Sequence, residues 1–219
     1  MPSLSPLAIR WLGRQPYETT WALQKALIGP IADGEAPETL LLVEHDPVIT
    51  LGRKAGAAQN VLSPDWSVIE TERGGDATYH GPGQLVAYPL LALREGERDL
   101  HRYLRNLESL IIATLADYGL PGERRDGLTG VWVHDRKVAS LGVAVRRWVT
   151  YHGLALNVTA DLGHFARLNP CGLSSDVMGS MATWLEKPPA LREVADRLVA
   201  HLPETLGRSA EPVALEMPT

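Results

Sequence analysis

Short apolar runs and one long helical stripe dominate the pattern of hydrophobic and polar positions along this chain. Residues 39–44 and 48–51 are continuous apolar runs too short for helices, and such runs are typical of buried strands. Residues 99–119 instead repeat apolar side chains every three to four positions, with Asp99 suited to the N-cap and Gly119 to the C-terminal end. We predict further strands at 7–12, 68–69, 84–93, 129–133, 138–146 and 149–158, and further helices at about 16–32 and from about 189 onward.

Polar segments connect the predicted elements without a long linker or an internal repeat. Residues 134–136 and 147–148 are predicted to form the tips of consecutive hairpins. Residues 53–66 are predicted to form a loop, and the tail after Gly207 is predicted to fray. This order of elements predicts one domain over residues 1–219, an α/β fold with a mixed, largely antiparallel sheet and flanking helices on its face.

Composition and charge narrow the class of protein. Hydrophobic residues make up 45% and charged residues 21% of the chain, as in ordinary globular proteins. The formal net charge of −5 argues against a nucleic-acid-binding protein, which normally carries a basic surplus. No apolar run reaches the length of a membrane span, and residues 1–6 lack the basic and apolar regions of a signal peptide.

The cysteine content is also typical of an ordinary globular protein. Cys171 is the single cysteine, so no intrachain disulfide can form, and no group of Cys and His has the spacing of a zinc site. We therefore expect a cytoplasmic protein without a metal centre. The net charge still allows an acidic partner, because three basic pairs could form a local patch: Arg53-Lys54, Arg124-Arg125 and Arg146-Arg147.

The most unusual stretch of the sequence is residues 73–84, in which four glycines and one proline precede a predicted strand. A plain turn needs only one or two glycines, so this number indicates a backbone that another group approaches closely. On composition alone, a mobile surface loop is as good an interpretation as a binding loop. The lysine and the hydroxyl that complete a phosphate-binding P-loop are missing from this stretch.

The same stretch resembles the signature of the lipoyl(octanoyl)transferase family, whose members move an octanoyl group from acyl carrier protein onto a lysine of lipoyl domains. The family pattern Arg-Gly-Gly-acidic-x-Thr-aromatic-His-Gly-Pro-Gly-Gln matches residues 73–84 without a gap. His45, Pro47 and Gly52 also fit the family's His-x-Pro-x-x-x-x-Gly segment. The resemblance covers most of residues 40–180. It implies a single octanoyltransferase catalytic domain with the fold that biotin and lipoate protein ligases share.

The resemblance implies a catalytic pair, Cys171 and Lys137. By itself, a lone cysteine is usually a small buried hydrophobe, and a turn lysine is usually solvated. Cys171, however, has the Pro-Cys-Gly context of the family's nucleophile, and Lys137, Ser140 and Gly142 match its Lys-x-x-Ser-x-Gly segment. The pairing has a chemical reason, because the thiolate is the nucleophile. A nearby ammonium group favours the thiolate, and a neutral amine could instead take up the thiol proton.

The resemblance also implies substrate contacts in three segments of the chain. Without it, the second and third segments would be interpreted as ordinary strand packing. His80 is interpreted as a hydrogen-bonded residue that orients its loop, and the role of His152 is left open. The implied contact residues are Arg73, Gly74, Gly75, Asp76, Ala77, Thr78, Tyr79 and His80, then Ser140, Leu141 and Gly142, and finally Gly153, Leu154 and Ala155.

The implied reaction exchanges one thioester for another on Cys171 and then forms an amide, so we expect it to need neither ATP nor another cofactor. The implied donor is acyl carrier protein. The implied acceptors are the lipoyl domains of 2-oxo acid dehydrogenase complexes and the glycine cleavage H protein. We expect a monomer that binds neither nucleic acid nor membrane.

Three alternatives to this reaction stay open at the level of the sequence. An ATP-dependent lipoate or biotin ligase of the same fold needs no cysteine, so Cys171 and the signature argue against it. An amidotransferase would move the acyl group between proteins and differs mainly in its donor. A non-catalytic module that binds acyl carriers has no need of Cys171 or Lys137.

Overall fold

An eight-stranded mixed sheet forms the centre of the protein, whose computed structural model describes residues 4–62, 67–169 and 175–211. The α-helices in these ranges are α1 (Tyr17–Asp33), α2 (Leu100–Ala116), α3 (Leu191–Ala200) and α4 (Leu202–Leu206). The strands are β1 (Ser5–Gln15), β2 (Thr39–His45), β3 (Val48–Leu51), β4 (Val68–Glu70), β5 (Thr78–His80), β6 (Gln84–Leu90), β7 (Gly122–Glu123), β8 (Val131–Val133), β9 (Arg136–Arg146), β10 (Val149–Asn157) and β11 (Arg208–Glu211).

The strand order in the large sheet is β11-β1-β2-β6-β10-β9-β8-β7. β1 runs parallel to both of its neighbours, and every other neighbouring pair is antiparallel. The parallel β1–β2 pair exists because α1 supplies the long crossover that such a pair requires. The predicted mixed, largely antiparallel sheet is therefore confirmed.

Helices cover both faces of the large sheet, because side chains alternate along its central strands. On β6, Leu85 and Ala87 belong to the core that contains α2 and α3. Val86 and Tyr88 face the other way and pack with α1. The helices are thus distributed over two layers, one on each side of the sheet.

A second, three-stranded sheet holds part of the stretch that the sequence singled out. β3 pairs in parallel with β4 and antiparallel with β5, so that Thr50 lies opposite Thr78 and Val48 opposite His80. The sequence predicted no strand at residues 78–80. The structure thus pairs the middle of the glycine-rich stretch with β3 instead of leaving it as a loop.

The hairpin tip predicted at residues 147–148 is confirmed, and it has an unusual backbone. Arg147 and Trp148 both have positive φ, 53° and 60°, as the type I′ turn between two twisted strands requires. Glycine and asparagine usually fill such positions. Here the guanidinium of Arg147 forms two hydrogen bonds with the Asp33 carboxylate, and the guanidinium of Arg98 lies over the Trp148 ring. The Arg147–Asp33 pair holds the strained tip against α1, and Arg98 covers its second residue.

The helix predicted over residues 99–119 is α2, and its N-cap is confirmed. The Asp99 carboxylate accepts a hydrogen bond from the backbone N–H of Arg102 over 3.0 Å. The helix ends at Ala116, however, and the left-handed Gly119 (φ 70°) lies three residues further on.

The prediction of a frayed tail is wrong for residues 208–211. These residues form β11, which adds to the sheet beside β1. Arg208 is almost fully buried and forms ion pairs with Glu38 and Glu97, at 2.6 and 2.8 Å. The two carboxylates outweigh the effect of burial and raise the pKa of Arg208. Residues 212–219 lie outside the described residues.

Candidate active site

A cavity of about 290 Å³ lies where β9 and β10 face residues 73–80 and the start of α1. This volume is close to the lower end of the range of small-molecule sites, roughly 300–1,000 Å³. Lys137 lines the cavity together with most of the residues predicted as substrate contacts. These are Arg73, Gly75, Asp76, Ala77, Thr78, His80, Ser140, Leu141, Gly142, Gly153, Leu154 and Ala155.

Glycines allow the segment 73–76 to lie directly against β3 and β9. A Cβ atom at Gly52 would overlap the carbonyl group of Gly75, and one at Gly142 would lie 2.8 Å from the carbonyl oxygen of Gly74. The Gly74 N–H donates to the Val143 carbonyl oxygen over 2.9 Å. The missing side chains of Gly52 and Gly142 therefore let the segment pack closely, while Gly75 has a φ of 90°, in the left-handed region that favours glycine.

Arg73 is buried on the cavity wall and is held by backbone and hydroxyl oxygens. Its Nη2 donates to the carbonyl oxygen and to Oγ1 of Thr50, over 2.8 and 3.0 Å, and its Nη1 donates to the Gly74 carbonyl oxygen over 3.2 Å. A fixed positive charge therefore faces the polar groups of the cavity.

The Asp76 carboxylate is used mainly to shape its own segment. It accepts hydrogen bonds from Asn60 Nδ2 and from the Ala77 N–H, each over 2.7 Å, and lies 2.8 Å from Lys54 Nζ. Burial raises the pKa of Asp76, but hydrogen bonds from Lys54, Ala77 and Asn60 outweigh burial and hold this pKa below its usual range. Asp76 is therefore an ionised clamp between residues 54–60 and the cavity wall.

Two of the predicted contact residues, Gly74 and Tyr79, are not among the residues that line the cavity. The Tyr79 ring packs edge-on against Phe165, and its hydroxyl lies 2.8 Å from His164 Nδ1. The hydroxyl also occupies the space that a Cβ at Gly81 would need. Tyr79 therefore anchors the segment from behind.

Lys137 is buried at the start of β9, with 2% of its surface exposed. Its Nζ lies 5.3 Å from the centre of the Trp132 ring. Its Cε packs against Gly130, where an added Cβ would lie only 2.6 Å away. The Gly130 N–H donates to the carboxylate of Glu108 over 3.0 Å. The backbone that confines the lysine is thus fixed from the α2 side of the sheet.

Cys171 lies outside the described residues. On its N-terminal side, the Asn169 N–H donates to the Asn60 carbonyl oxygen over 2.8 Å. On its C-terminal side, Met178 forms a bridge with Lys137, and the Gly179 N–H donates to the Lys137 carbonyl oxygen over 2.9 Å. The chain that follows Cys171 therefore returns to the sheet beside Lys137.

A cluster of aromatic residues and histidines lies next to the cavity: Tyr17, His45, His80, Tyr88 and His152. All but His45 line the cavity. Burial lowers the pKa of His45 and of His152 to about 4, and burial together with the neighbouring His45 lowers that of His80 to about 3. The three imidazoles are therefore neutral at pH 7.

Backbone carbonyl groups decide which ring nitrogen carries the proton in two of these histidines. His45 Nδ1 lies 3.0 Å from the Gln15 carbonyl oxygen, which can only accept, so Nδ1 is protonated. His45 Nε2 therefore accepts the hydrogen bond from the Tyr88 hydroxyl over 2.9 Å. His80 Nδ1 lies 2.7 Å from Oε1 of Gln84, whose Nε2 donates to the Tyr79 carbonyl oxygen. His80 is thus also protonated at Nδ1.

The sequence missed several residues of the cavity wall. Val86 and Tyr88 could have been found, because they share one face of β6 with Gln84 of the signature. No comparable signal marks the others, which reach the cavity from elements distant in sequence. The missed residues are Tyr17, Lys54, Val86, Tyr88, Gly127, Leu128, Thr129 and Trp132, and His152, whose role was left open, also lies there.

The described residues offer no group of three or more His, Asp or Glu side chains that could hold a metal ion. None of the helices in the same part of the chain has the length and apolar character that crossing a membrane requires.

Gly153→Ala is expected to lower the free energy of unfolding by about 1–3 kcal/mol, the usual range for overpacking. Gly153 lies on β10 where a Cβ would overlap the Ala87 carbonyl oxygen of β6, so the two strands would have to separate. Urea unfolding followed by circular dichroism measures the change. Gly29→Ala is the matched control, because this α1 glycine has open space around it. It should instead raise stability by about 0.5–1 kcal/mol. Equal effects of the two substitutions would contradict the packing described for Gly153.

Solved structures with the same architecture include lipoate-protein ligases and biotin protein ligases. A crystal structure of lipoate-protein ligase A bound with ATP superposes with a TM-score of 0.76 at 16% identity, over 97% of this chain and 89% of that chain. Biotin protein ligase from Aquifex aeolicus superposes with a TM-score of 0.53 at 16% identity, over 91% of this chain and 68% of that chain. The fold is therefore that of the lipoate and biotin protein ligases, as the sequence predicted.

Proteins related in sequence define the family more narrowly than the solved structures do. Residues 16–203 match the family model of the lipoyl protein ligase A/B catalytic domain. The octanoyltransferase of Syntrophotalea carbinolica is 50% identical over 91% of this chain and 94% of that protein. The octanoyltransferase of Geobacter metallireducens is 48% identical over 90% of this chain and 92% of that protein. This chain therefore belongs to the lipoyl protein ligase A/B catalytic domain family and, within it, to the octanoyltransferases.

Proposed function

We propose that the octanoyl transfer carried out by this protein proceeds through a thioester on Cys171, from acyl carrier protein to a lysine of lipoyl domains. In the first step, Cys171 Sγ attacks the donor carbonyl carbon and the thiol of the carrier's prosthetic arm leaves. In the second step, the acceptor amine attacks the acyl-cysteine carbonyl carbon and the carbon–sulfur bond breaks. The departing Cys171 sulfur takes up the proton that the amine loses, and an amide forms. Both steps balance without ATP or another cofactor.

The observation that supports this proposal most is the burial of Lys137 in the wall of the cavity. Lysine is almost never fully buried in proteins unless its charge is paired. The backbone of Lys137 is also paired with Met178 and Gly179, which follow Cys171 along the chain. An ammonium group in this position would favour the thiolate of Cys171 and would stabilise the negative charge that develops during acyl transfer.

The cavity suits an acyl chain of moderate length. Its wall includes Val86, Leu141, Leu154 and Ala155, which offer apolar surface along β6, β9 and β10. Each methylene group that leaves water contributes about 0.8 kcal/mol to binding. We propose that the octanoyl chain lies along this wall, and that His80 and Asp76 shape the polar side of the cavity without taking part in bond formation.

Mass spectrometry of the intact protein tests the thioester directly. After incubation with octanoyl-loaded acyl carrier protein, the wild type should gain one octanoyl group, and hydroxylamine should remove it. Cys171→Ala should gain none and should lose transfer to a lipoyl domain. Free octanoate with ATP should give neither an adduct nor an adenylate. Transfer that persists in Cys171→Ala would contradict the covalent route.

The donor is proposed to dock on a basic patch although the whole chain is acidic. Arg147 is paired with Asp33, Arg124 with Glu108 and Arg125 with Asp135, whereas Arg53 and Arg146 are exposed without an acidic partner among the described residues. Burial and the nearby Glu72 raise the pKa of the Tyr151 hydroxyl, and Arg53 and Arg146 lower it. The Arg53 N–H donates to the Arg73 carbonyl oxygen, and the next residue, Gly74, donates to β9, the strand that carries Arg146. Arg53 and Arg146 therefore lie on one side of the molecule, near the cavity-lining Lys54.

Raising the ionic strength is expected to increase KM for acyl carrier protein with little change in kcat, because salt screens exposed charges. Arg53→Glu and Arg146→Glu should each increase KM in the same way at low salt. Arg197→Glu is the control, since this exposed arginine lies on α3 on the opposite face of the sheet. If KM changes neither with salt nor with these substitutions, acyl carrier protein does not dock at this patch.

A further inference from the structure

Two buried side-chain amides connect the signature segment with the backbone beside Lys137. Gln84 begins β6 and Asn157 ends β10, and the two residues lie opposite each other in the sheet. Gln84 Nε2 donates to Asn157 Oδ1 over 2.9 Å, and Asn157 Nδ2 donates to the Gly179 carbonyl oxygen over 2.9 Å. Both side chains are almost fully buried, so these hydrogen bonds have no competition from solvent.

The orientation of both amides is fixed by backbone carbonyl oxygens, which can only accept hydrogen bonds. Gln84 Nε2 donates to the Tyr79 carbonyl oxygen as well, and Asn157 Nδ2 donates to that of Gly179. Turning either amide over would place an oxygen against an oxygen. The hydrogen bonds therefore run in one order: Gln84 donates to Asn157, and Asn157 donates to Gly179.

The far end of this network lies at the strand-like segment 178–179. Met178 forms a bridge with Lys137, and the N–H of Gly179 donates to the carbonyl oxygen of Lys137. Gly179 is therefore held on one side by the backbone of Lys137 and on the other by the side chain of Asn157. The near end of the network lies at His80, whose Nδ1 is 2.7 Å from Gln84 Oε1.

We propose that Asn157 is a positioning residue for the acylation of Cys171, which holds segment 178–179 in register with Lys137 and the signature segment. The proposal rests on the thioester route described above. Asn157 does not line the cavity, so it acts on the geometry of the reacting groups and not on the binding of the acyl chain. A displacement of about 1 Å in such an arrangement lowers a rate by about a hundred-fold.

Asn157→Asp isolates the donor, because aspartate has the shape of asparagine but its carboxylate cannot donate to Gly179. The rate of octanoyl addition to Cys171, followed by intact mass over a range of octanoyl-loaded carrier concentrations, should have a maximum about 10- to 100-fold lower than in the wild type. The carrier concentration that gives half of this maximum should stay unchanged.

The pH profile of the same variant gives a readout that a loss of packing would not produce. A protonated aspartic acid can donate to the Gly179 carbonyl oxygen, and burial raises the pKa of such a carboxyl group. The rate of Asn157→Asp relative to the wild type should therefore rise as the pH is lowered from 8 to 6. His80 and Lys137 lie at the two ends of the network in both proteins, so the ratio of the two rates isolates the effect of residue 157.

Two further variants complete the test. Asn157→Ala removes both hydrogen bonds and should show the low maximum rate without the pH-dependent recovery. Thr114→Val is the control, because Thr114 is fully buried in α2 and its hydroxyl donates to the Leu110 carbonyl oxygen of its own helix. It should keep the wild-type rate and profile.

Wild-type maximum rates in both Asn157 variants, or a half-maximal concentration that rises while the maximum rate is kept, would overturn the positioning role. A relative rate of Asn157→Asp that stays flat with pH would overturn the donor assignment. Failure of the wild type to form any adduct would instead refute the thioester route itself, so the two proposals fail in different ways.

Discussion

Replacing Lys137 by methionine is expected to lower the rate of Cys171 acylation by about 10²–10⁴-fold, the usual contribution of a positioned acid or base. Methionine has nearly the length of lysine and should keep the packing against Gly130 and Trp132. It removes only the charged group, and with it the means of favouring the thiolate. The thermal midpoint should fall by little, since a buried charge is replaced by an apolar group of similar volume.

Alkylation of Cys171 by iodoacetamide measures the activation without any substrate. In the wild type, the reaction should already be fast near neutral pH, whereas in Lys137→Met it should become fast only near the pKa of a free thiol, about 8.5. Lys137→Arg should not restore the reaction, because arginine cannot act as a base and has a different shape. Lys187→Met, at an exposed lysine, is the control. Identical alkylation curves in the wild type and in Lys137→Met would refute the pairing.

The elements that the sequence predicted well are those whose signal is local. The period-3.6 stripe of α2 and the short apolar runs of β2 and β3 carry their own burial pattern, and the structure agrees with them to within a few residues. The signature segment was found because its residue types are fixed in a contiguous string. Its predicted substrate contacts stay predictions, although most of them line one cavity.

The parts that the sequence could not show depend on contacts between distant residues. β11 is a strand because Arg208 reaches Glu38 and Glu97, and a tail of four residues gives no sign of this by itself. The buried face of α1 includes Thr20 and Gln24, which no apolar pattern would select. Gln24 is buried because its Oε1 accepts from the backbone N–H of His152, a residue on β10.

Glu108 is a further example, and it belongs to the support of the site. It lies within the apolar stripe of α2, next to Leu107, yet it is a fully buried carboxylate. Arg105 and Arg124 neutralise it at 2.7 and 3.0 Å, and it holds the Gly130 N–H beside Lys137. Two arginines from different parts of the chain are needed to make this burial stable, so sequence periodicity could not predict it.

Acidification from pH 7 to pH 5 is expected to lower the free energy of unfolding by several kcal/mol. His45, His80 and His152 have folded-state pKa values of about 4, 3 and 4, below the unfolded value near 6.5. The unfolded chain therefore binds more protons in this range, and the stabilisation, complete above pH 6.5, is lost as the pH falls towards 4. Each histidine contributes about 1.4 kcal/mol per pH unit below 6.5, or about 2 kcal/mol at pH 5.

Urea unfolding at pH 7, 6 and 5 measures this dependence, and His45→Gln tests its origin. Glutamine can still donate to the Gln15 carbonyl oxygen or accept from Tyr88, but it does not titrate, so the slope of stability against pH should become about one third smaller. Asp76 titrates below this window, because its pKa is lowered from an already acidic value, and His201, whose pKa is raised, opposes the trend. A stability that stays constant from pH 7 to pH 5 would mean that these three histidines take up protons as readily in the folded protein as in the unfolded chain, and the Nδ1-only assignment for His45 and His80 would be wrong.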